Sequence, residues 1–558
     1  MLTTKLVSAM EKCFLDQIPA DFDAVTKLRM YKNEKASVQF MAYDDTKVRT
    51  ATFLKISIEG EMSKYATLRT VENIPNYNSM PFILEDMEID IKYIRTEAGL
   101  YPDVLMPLMR KNCIPYYNRQ LHTVMIDFEG DLKPGQYETK IVLHDLKDEK
   151  VAETIFVVEV IDAELPERDT IATQWFYADC LADYYNVPAF SDRHFEICKN
   201  FMKKAVETGI NMILMPVFTP PLDTYEGGER TTVQLVKVNV NKGEYSFDFS
   251  LCDRWLKMCK DCGVKYVEVC HLFTQWGAYH APKVIATVDG EEKQIFGWDT
   301  DAAGEEYVKF IRAFLTEFTK YIVTKWDKDK VYFHISDEPR EQHLEQYKTN
   351  RNNIIDILKD FKVIDALSHV EYYKEGLCDI PVPTTGAIKD FLPEDIKERW
   401  VYYCSTPRTT TNRGFALSTP RTRSLGYQMY KFGIEGFLHW GFNYYNNEIS
   451  YDHINPFLNP CGGYFGYEMG GDCFLVYPAQ DGTPIDSLRL MATRQALDDI
   501  RLFKLCESYY GKEKVVEEIE NIIGEITFLN NVNDVRTMQK IRDRIDDMIL
   551  EAIKQNEI

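Results

Sequence analysis

From about residue 34 to residue 162, apolar and polar residues alternate along the chain with a period of two. The alternation is clearest in ASVQFMAY, ATFLKISIEG, YETKIVLHDL and ETIFVVEVID, and turn residues such as Lys133-Pro134-Gly135 separate these stretches. A period of two places every second side chain on the same face of a strand. Several short strands of this kind predict an N-terminal antiparallel β-sandwich, to which we assign residues 1–165.

The pattern changes at the polar, proline-containing segment 162–170, where we place a domain boundary. Beyond it, short apolar runs alternate with helical periodicity, as in YVKFIRAFLTEFTKYIV. Eight strands close a (β/α)8 barrel, so we predict an α/β fold with a TIM-type barrel over residues 166–510. The predicted barrel strands are 173–179, 212–218, 266–273, 331–337, 367–373, 380–386, 400–405 and 436–443.

Long insertions and a helical tail are predicted around this barrel. The insertions after strands two and three alternate like hairpins, and the one after strand eight, 443–471, is rich in aromatic residues. Insertions after strands stand on the face of a barrel where active sites are built. Residues 511–558 have an amphipathic helical pattern and are predicted to form a C-terminal helical extension.

Composition narrows the range of partners and locations. The chain of 558 residues carries a formal charge of -22, and no basic stripe in the sequence offsets it, which disfavours nucleic acid as a partner. No uncharged apolar run reaches membrane-spanning length, and Lys5, Glu11 and Lys12 interrupt the N-terminal segment where a signal peptide needs an apolar core. Thirteen scattered cysteines are typical of a reducing compartment. We therefore expect a cytoplasmic protein without membrane insertion, and the sequence does not predict its oligomeric state.

The sharpest cysteine spacing is Cys259-x-x-Cys262, with Cys252 and Cys270 nearby. A zinc or redox site uses such a spacing, but no matching cysteine or histidine pair follows at the distance that metal binding requires. The stretch LCDRWLKMCKDCG has the periodicity of an amphipathic helix that ends at Gly263. We predict a helix there, and we predict neither a metal site nor a cofactor.

The stretch VYFHISDEPR places two adjacent carboxylates, Asp337 and Glu338, at the end of the fourth predicted strand. The carboxyl ends of barrel strands form the catalytic rim. Adjacent strand residues face opposite sides, so both acids reach one pocket only if the backbone leaves β geometry, which Pro339 favours by restricting Glu338. Two carboxylates held close do not both ionise easily, so one would serve as a general acid. The structural alternative is that Asp337 caps a helix beginning near Arg340 and Glu338 is solvated.

Other predicted strand ends carry side chains that suit sugar recognition. Aromatic rings pack on sugar faces, and amides and hydroxyls hydrogen-bond to sugar hydroxyls. Trp276, Tyr373 and Tyr402 also lie near strand ends, and a core role suits Trp276 or Tyr373 equally well. The predicted substrate-binding residues are His271, Gln275, Tyr372, Tyr403, Trp440 and Asn443.

The stretches HISDEP, VYYCSTP, GIEGFLHWGFN and GDCFLVYP, followed by DSLRLMATRQALDDI, resemble glycoside hydrolase family 123 over roughly residues 170–505. The resemblance implies a β-N-acetylgalactosaminidase with an N-terminal β-sandwich and a (β/α)8 barrel. It also implies that Asp337 and Glu338 are the catalytic pair. In substrate-assisted hydrolysis the acetamide oxygen of the sugar attacks the anomeric carbon and forms an oxazolinium, so the protein needs no nucleophile across the ring.

The expected function is a retaining exo-β-N-acetylgalactosaminidase that removes terminal β-linked GalNAc from a glycan or glycolipid. Glu338 would protonate the leaving oxygen, and Asp337 would hold the acetamide N–H. Two alternatives remain: a β-N-acetylhexosaminidase that accepts GlcNAc, because the pair reads only the acetamido group, and a non-catalytic glycan-binding barrel. A conventional glycosidase would need a carboxylate at the end of strand seven or eight, and the sequence has none there before Glu448.

Overall fold

The computed structural model describes residues 1–47, 51–77, 92–108, 112–405, 409–460 and 469–556. In the part before residue 162, these ranges contain ten strands that form two sheets packed on one apolar core. The strands are β1 (Leu2–Ser8), β2 (Lys27–Tyr31), β3 (Ala36–Asp44), β4 (Ala51–Glu59), β5 (Ala66–Asn76), β6 (Gly99–Pro107), β7 (Cys113–Tyr117), β8 (His122–Phe128), β9 (Gly135–His144) and β10 (Lys150–Ile161).

The predicted N-terminal sandwich is confirmed. One sheet has the order β1-β3-β8-β5-β6 and the other the order β2-β10-β9-β4-β7. Neighbouring strands are antiparallel, as in the pairing of Phe40 with Val124 across β3 and β8. The exception is β2, which runs parallel to β10. Alternating side chains of the two sheets meet in the core, which is what a period of two requires.

Eight parallel strands form the predicted barrel. They are β11 (Ile171–Gln174), β12 (Met212–Met215), β15 (Tyr266–Val269), β18 (Val331–Phe333), β19 (Lys362–Ala366), β20 (Ile380–Val382), β21 (Trp400–Tyr402) and β22 (Gly436–His439). Their order is β20-β19-β18-β15-β12-β11-β22-β21. The two ends of this order, β20 and β21, meet just after β20, where Tyr402 N donates to Pro383 O at 3.0 Å and Thr385 N donates to Tyr402 O at 2.8 Å.

The prediction for the fifth barrel strand is wrong. The strand is Lys362–Ala366, whereas the predicted segment 367–373 runs into a one-turn helix, Glu371–Lys374. The true strand, KVIDA, looks polar in the sequence because it carries Lys362 and Asp365. Asp365 is nevertheless fully buried, because its carboxylate is hydrogen-bonded inside the barrel. The fourth strand is also shorter than predicted and ends at Phe333.

The hairpins predicted after strands two and three are confirmed. They are β13 (Lys237–Asn241) with β14 (Glu244–Asp248), and β16 (Val284–Val288) with β17 (Glu291–Phe296). Strands β13 and β16 pair in parallel, so the two hairpins form one four-stranded sheet. Part of the third predicted insertion, residues 461–468, lies outside the described residues.

The helices surround the barrel unevenly. The cysteine-containing stretch is a helix that ends at Gly263 in a left-handed conformation (φ 84°), as predicted. After β19 and β20 the described segments contain only a one-turn helix and a 3₁₀ turn. The helices are α1 (Ala178–Tyr184), α2 (Asp192–Glu207), α3 (Ser250–Cys262), α4 (Glu305–Ile322), α5 (Leu344–Asn352), α6 (Ile355–Leu358), α7 (Glu371–Lys374), α8 (Thr419–Arg423), α9 (Leu425–Phe432), α10 (Leu488–Tyr510), α11 (Lys512–Ile523) and α12 (Val535–Asn556). In the described ranges, every helix is too short or too polar to cross a lipid bilayer.

The sandwich and the barrel are joined by strands and by a buried ion pair. β23 (Tyr477–Pro478) and β24 (Pro484–Ser487) follow the barrel in sequence, yet they extend the first sandwich sheet beside β6. Arg489 of α10 pairs with Asp103 of β6 at 2.9 Å, and Tyr477 donates to the same carboxylate at 2.6 Å. The chain therefore crosses between the two parts in space, and the boundaries at 165 and 510 stay a prediction.

Candidate active site

A cavity of about 140 Å³ opens at the carboxyl ends of the barrel strands. Every barrel strand except β20 contributes to its lining, either from its last residue or from the loop that follows. Three carboxylates line it, Asp223, Asp337 and Glu338. The rings that line it are Trp175, Tyr177, Trp276, Tyr402 and Trp440.

Asp337 and Glu338 reach the same cavity because the strand ends before them. β18 stops at Phe333, and Glu338 has a left-handed backbone (φ 42°). That conformation is rare for a residue with a side chain, and it turns Glu338 to the side that Asp337 faces. The helix-cap alternative is wrong: the 3₁₀ segment Glu341–His343 has Arg340 at its N-cap, and Asp337 lines the cavity.

The segment that carries the two acids is fixed from both sides. On one side, Ser336 Oγ donates to Thr274 O and Trp276 N donates to Asp337 O, both at 2.8 Å. On the other side, Glu338 N donates to Ala366 O at 2.9 Å. These bonds replace the regular ladder that the strand has lost. They hold a strained backbone in place and so orient the acid pair.

The environment of the pair favours one shared proton. Burial raises the pKa of Asp337 well above its usual range, the neighbouring Glu338 raises it further, and His334 opposes both effects. Tyr402 donates its hydroxyl to Glu338 Oε1 at 2.5 Å, so Glu338 Oε2 is the oxygen that stays available for a proton. Two coupled carboxyl groups of this kind bind and lose protons as a pair.

Two other cavity residues also have left-handed backbones, Asp223 (φ 46°) and Trp276 (φ 55°). Gln275 fixes the first of them: its amide oxygen accepts from Asp223 N, and its amide nitrogen donates to Thr224 O at 2.8 Å. Gln275, which was predicted to bind substrate, lines the cavity, and its amide binds the backbone of residues 223–224. Strained residues of this kind persist where surrounding contacts over-determine them, which is typical of functional sites.

Comparison with known proteins identifies the family. The family model described as "Glycoside hydrolase 123, catalytic domain" matches residues 175–506, which is more than half of the chain. The chain belongs to glycoside hydrolase family 123. The matched range contains every residue that lines the cavity, and the resemblance seen in the sequence is confirmed. The protein is therefore a glycoside hydrolase, and Asp337 and Glu338 lie in its catalytic domain.

Among solved structures, one shares the fold over its whole length, and two others are only distantly similar. A family 123 glycoside hydrolase from Clostridium perfringens, studied for the hydrolysis of glycolipid glycans, superposes with a TM-score of 0.74 over 100% of this chain and 99% of its own, at 16% identity. The endo-β-1,4-mannanase from Thermotoga petrophila gives a TM-score of 0.34, at 12% identity over 60% of this chain and 77% of its own. The Bacteroides ovatus GH5 xyloglucanase gives 0.28, at 10% identity over 89% of this chain and 100% of its own. Among curated proteins, none matches the sequence.

Beneath the cavity of this family 123 enzyme lies a buried ionic network. His334 Nε2 lies 2.6 Å from Glu268 Oε1, and His334 Nδ1 lies 3.2 Å from Asp365 Oδ1. His271, predicted to bind substrate, belongs to this layer: it is fully buried and its ring stacks on His334 with centroids 4.2 Å apart. Trp175 separates the two histidines from the cavity, because its ring packs edge-on against both.

Three residues of this layer lie close enough together to be compared with a metal site. His271, His334 and Asp365 have potential ligand atoms within 4.8 Å of one another. The two rings are stacked with an interplanar angle of 21°, and imidazole lone pairs lie in the ring plane. Their lone pairs therefore run side by side and do not converge on a point between the rings, so the geometry is that of a hydrogen-bonded ion network.

Three further residues predicted to bind substrate are placed elsewhere. Tyr372 lies on α7, where its hydroxyl donates to Arg340 O at 2.8 Å. Tyr403 is fully buried against Phe437 and His439, because it is Tyr402, one residue earlier, that faces the cavity. Asn443 is also buried. Its amide exchanges two hydrogen bonds of 3.0 Å with the backbone of Tyr177, so it positions a cavity ring from behind.

Trp440, which was predicted to bind substrate, lines the cavity. Its indole N–H donates to Asp472 Oδ2 at 2.7 Å, and its ring meets Tyr444 edge-on at 5.1 Å. Asp472 also lies 3.2 Å from His439 Nε2. Although burial opposes ionisation, His439 and Arg413 hold the pKa of Asp472 below its usual range, so the carboxylate anchors the indole as an anion.

Three cavity residues were not predicted from the sequence: Trp175, Tyr177 and Asp223. The two rings fall inside the first predicted strand, which in fact ends at Gln174 and leaves them on the rim. Asp223 lies eight residues beyond the end of β12, where only its place after an apolar strand marked it. A rule that inspects the loop after every barrel strand would have found all three.

Proposed function

We propose that this family 123 enzyme is a retaining exo-β-N-acetylgalactosaminidase that uses the acetamide of its substrate as the nucleophile. The observation that carries the proposal is the placement of two adjacent acids, Asp337 and Glu338, on one side of a single cavity. Acids on the same side of the site cannot flank a sugar ring from opposite faces, as ordinary paired carboxylates do. Substrate assistance needs no carboxylate across the ring and is therefore compatible with acids side by side.

Each acid has a distinct task in this mechanism. Glu338, with one oxygen accepting from Tyr402, presents a protonated second oxygen to the departing glycosidic oxygen and then takes the proton back from water. Asp337 accepts the acetamide N–H, holds the carbonyl oxygen near the anomeric carbon and counters the charge of the oxazolinium. Positioning of this kind can contribute on the order of 7 kcal/mol to lowering the barrier.

The charge of the cavity supports an uncharged substrate. Among the described residues that line it are three carboxylates and no lysine or arginine. An anionic substituent on the sugar would be repelled, whereas a positively charged oxazolinium would be stabilised. Neutral GalNAc at the end of a glycolipid glycan fits this field, and the similar Clostridium perfringens enzyme was studied on glycolipid glycans.

A second mechanism deserves a direct test because Asp223 lines the same cavity. In a conventional retaining glycosidase, Asp223 would be the nucleophile and would form a covalent glycosyl-enzyme. A 2-deoxy-2-fluoro glycoside separates the two mechanisms. Trapping of a sugar on the peptide that contains Asp223 would refute substrate assistance.

The positive test uses the acetamide itself. GalNAc-thiazoline, which copies the bicyclic intermediate, should bind far more tightly than GalNAc. Substrates with mono-, di- and trifluoroacetyl groups should react progressively more slowly, because fluorine withdraws electron density from the attacking oxygen. Equal rates across that series would contradict the proposal. Paired GalNAc and GlcNAc aryl glycosides then decide between the galactosaminidase and a broader hexosaminidase.

Asp337→Asn tests the role of the second acid. We expect kcat to fall on the order of 10²- to 10³-fold, as when a preorganised group that stabilises transition-state charge is lost, with a much smaller change in KM. The thiazoline should also lose most of its advantage over GalNAc in this variant. A change confined to KM would show that Asp337 only binds substrate.

A further inference from the structure

His334 lies three residues before Asp337 and faces a carboxylate with each ring nitrogen. Its Nε2 is 2.6 Å from Glu268 Oε1 and its Nδ1 is 3.2 Å from Asp365 Oδ1. A neutral imidazole has one N–H and therefore one donor. A neutral ring can donate a hydrogen bond to one of these two carboxylates, and its other nitrogen then directs a lone pair at the second carboxylate, which is repulsive. Only an imidazolium donates to both.

Asp365 is an acceptor for its other neighbours as well. Its Oδ1 accepts from Ile335 N at 3.0 Å and from Ser336 N at 3.3 Å, and its Oδ2 accepts from the Tyr347 hydroxyl at 2.5 Å. Burial raises the pKa of Asp365, but donors on both oxygens favour the ionised form. A proton on this carboxyl would displace one of them.

Glu268 has a similar set of partners. The Trp175 indole N–H donates to its Oε1 at 2.9 Å, and the Thr173 hydroxyl donates to its Oε2. Donors therefore occupy both carboxylate oxygens of Glu268, as they do in Asp365. The proton in the network is thereby placed on His334.

The stacked ring above His334 fits this assignment. Burial and the proximity of His334 hold the pKa of His271 well below its usual range, so His271 is neutral. A neutral imidazole 4.2 Å from an imidazolium is attracted to it through its ring electrons, whereas two charged rings would repel each other. For His334 itself, burial opposes protonation, but Asp365 and Glu268 outweigh it and raise the pKa to about 9.

We propose that His334 is a positioning residue for the reaction proposed above: clamped as an imidazolium between Glu268 and Asp365, it places a positive charge below the acid pair that favours the ionised form of Asp337 and a shared proton on Glu338. Asp337 needs this help because burial and Glu338 both disfavour its charge. A proton on Asp337 would block acceptance of the acetamide N–H, and the charge of His334 acts against that proton.

The network has several titratable members that a test must keep apart. The groups that face His334 are Glu268 and His271 from the β15 side, Asp365 with Tyr347 from the β19 and α5 side, and Asp337 from its own segment. Direct observation of the His334 ring avoids this ambiguity, since it reports one residue and does not depend on substrate.

The first experiment is NMR of the wild-type enzyme labelled with nitrogen-15 at histidine. The chain has ten histidines, and the difference from the His334→Gln spectrum assigns the ring of His334. We expect both ring nitrogens to carry protons at neutral pH. A neutral ring at that pH overturns the proposal. If the His334→Gln variant does not fold, the Glu268→Gln and Asp365→Asn variants assign the signal by the shift that each produces.

The second experiment measures the pH profile of kcat/KM. Loss of the His334 charge should move both limbs of the profile in His334→Gln to higher pH by about one unit, because a nearby opposite charge lowers a carboxyl pKa by at least that much. A lower plateau with unmoved limbs would show a merely structural role and would overturn the proposal. His439→Gln is the matched control, a buried histidine at another strand end whose loss should leave both limbs in place.

The outcomes separate this inference from the proposed function. If the enzyme cleaves some other glycoside and no 2-acetamido sugar, the proposed function fails, while the NMR result still reports the charge of His334. If 2-acetamido sugars are cleaved and His334 is neutral, the function stands and this inference fails.

Discussion

Two buried histidines near the ends of barrel strands differ in charge: His334 is a cation and His439 is neutral. His334 lies between Glu268 and Asp365, and its pKa is raised to about 9. His439 lies beside Asp472 at 3.2 Å, yet burial and then the nearby Arg413 guanidinium lower its pKa to about 4. Both rings are fully buried. Burial therefore does not decide the charge of a histidine here, and the neighbouring charges do.

The hydrogen bonds of the two rings agree with this difference. His439 Nδ1 accepts from Gly441 N at 3.0 Å, so only Nε2 carries a proton and donates to Asp472. His334 has an acidic acceptor at both nitrogens. In the His439 network the positive charge is supplied by Arg413, which donates to Gln174 Oε1 and Gly441 O, each at 2.5 Å. In the His334 network, the histidine is itself the cation.

The two networks support different parts of the cavity. The His334 network lies below the acid pair, where the charge changes during the reaction. The His439 network anchors Trp440 through Asp472, where a ring packs on the substrate. We therefore expect substitutions in the His334 network to act mainly on kcat. Substitutions in the His439 network should act mainly on substrate binding and on stability.

The largest effect is expected for Glu338→Gln. Loss of the general acid should lower kcat/KM by about 10²- to 10⁴-fold for glycans with a poor leaving group, and by much less for aryl glycosides whose leaving group needs no proton. Steady-state kinetics with both substrate types measure the difference. Glu341→Gln, an exposed acid three residues away, is the control. An equal loss on both substrates would remove Glu338 from the role of acid.

Arg413→Met should make the surroundings of His439 more like those of His334, because it removes the cation of the His439 network. Removing the buried cation leaves Gln174 Oε1 and the carbonyl oxygens of Gly441 and Asp472 without the guanidinium donor, so we expect the free energy of unfolding to fall by about 3–5 kcal/mol. The pKa of His439 should rise above about 4, because one of the two guanidinium groups that lower it is then gone. Urea unfolding and histidine NMR measure the two effects. Arg421→Met removes a buried guanidinium elsewhere and should leave His439 unchanged; a shift there as well would contradict the explanation.

The two histidines should also give opposite pH dependence of stability. His334 has a folded pKa above that of a free histidine, so its stabilisation is complete below about pH 6.5 and is lost as the pH rises toward 9. His439 has a folded pKa below the free value, so its contribution is lost as the pH falls from about 6.5 toward 4. Each effect is on the order of 3 kcal/mol.

The pH effects are measured as differences from the variants. Urea unfolding across this pH range should show the gap between wild type and His334→Gln closing on the alkaline side. The gap between wild type and His439→Gln should close on the acid side. Parallel curves for either pair would mean that the histidine does not change its protonation on unfolding.

The smallest effect is expected on the ring side of the cavity. Trp440→Ala should weaken substrate binding by about 1–3 kcal/mol, the value of burying one large apolar side chain, and should affect kcat less. Trp440→Phe keeps a ring but loses the N–H bond to Asp472, so it separates packing from anchoring. Inhibition constants for GalNAc-thiazoline measure both. Unchanged binding in Trp440→Ala would exclude the ring from the sugar site.

The sequence by itself determined the sandwich, seven of the eight barrel strands and the position of the acid pair. Periods of two and of 3.6 are local properties, and they follow from which faces of a strand or helix are buried. The acid pair Asp337 and Glu338 could be predicted from the sequence because the prediction depends on a local feature, its place at the end of an apolar strand. The hairpins and the cysteine-containing helix were visible for the same reason.

Only the tertiary structure decided which polar residues face the cavity and which lie under it. His271, Tyr403 and Asn443 stand at strand ends, as Trp440 does, yet they point into buried layers because neighbouring residues on a strand alternate and the barrel closes around one side. The fifth strand was missed because its Asp365 is stabilised by donors that come from β18 and α5, which a local pattern cannot show. The charges of His334 and His439 depend on groups far apart in the chain, and only folding brings those groups within a few ångströms of each ring.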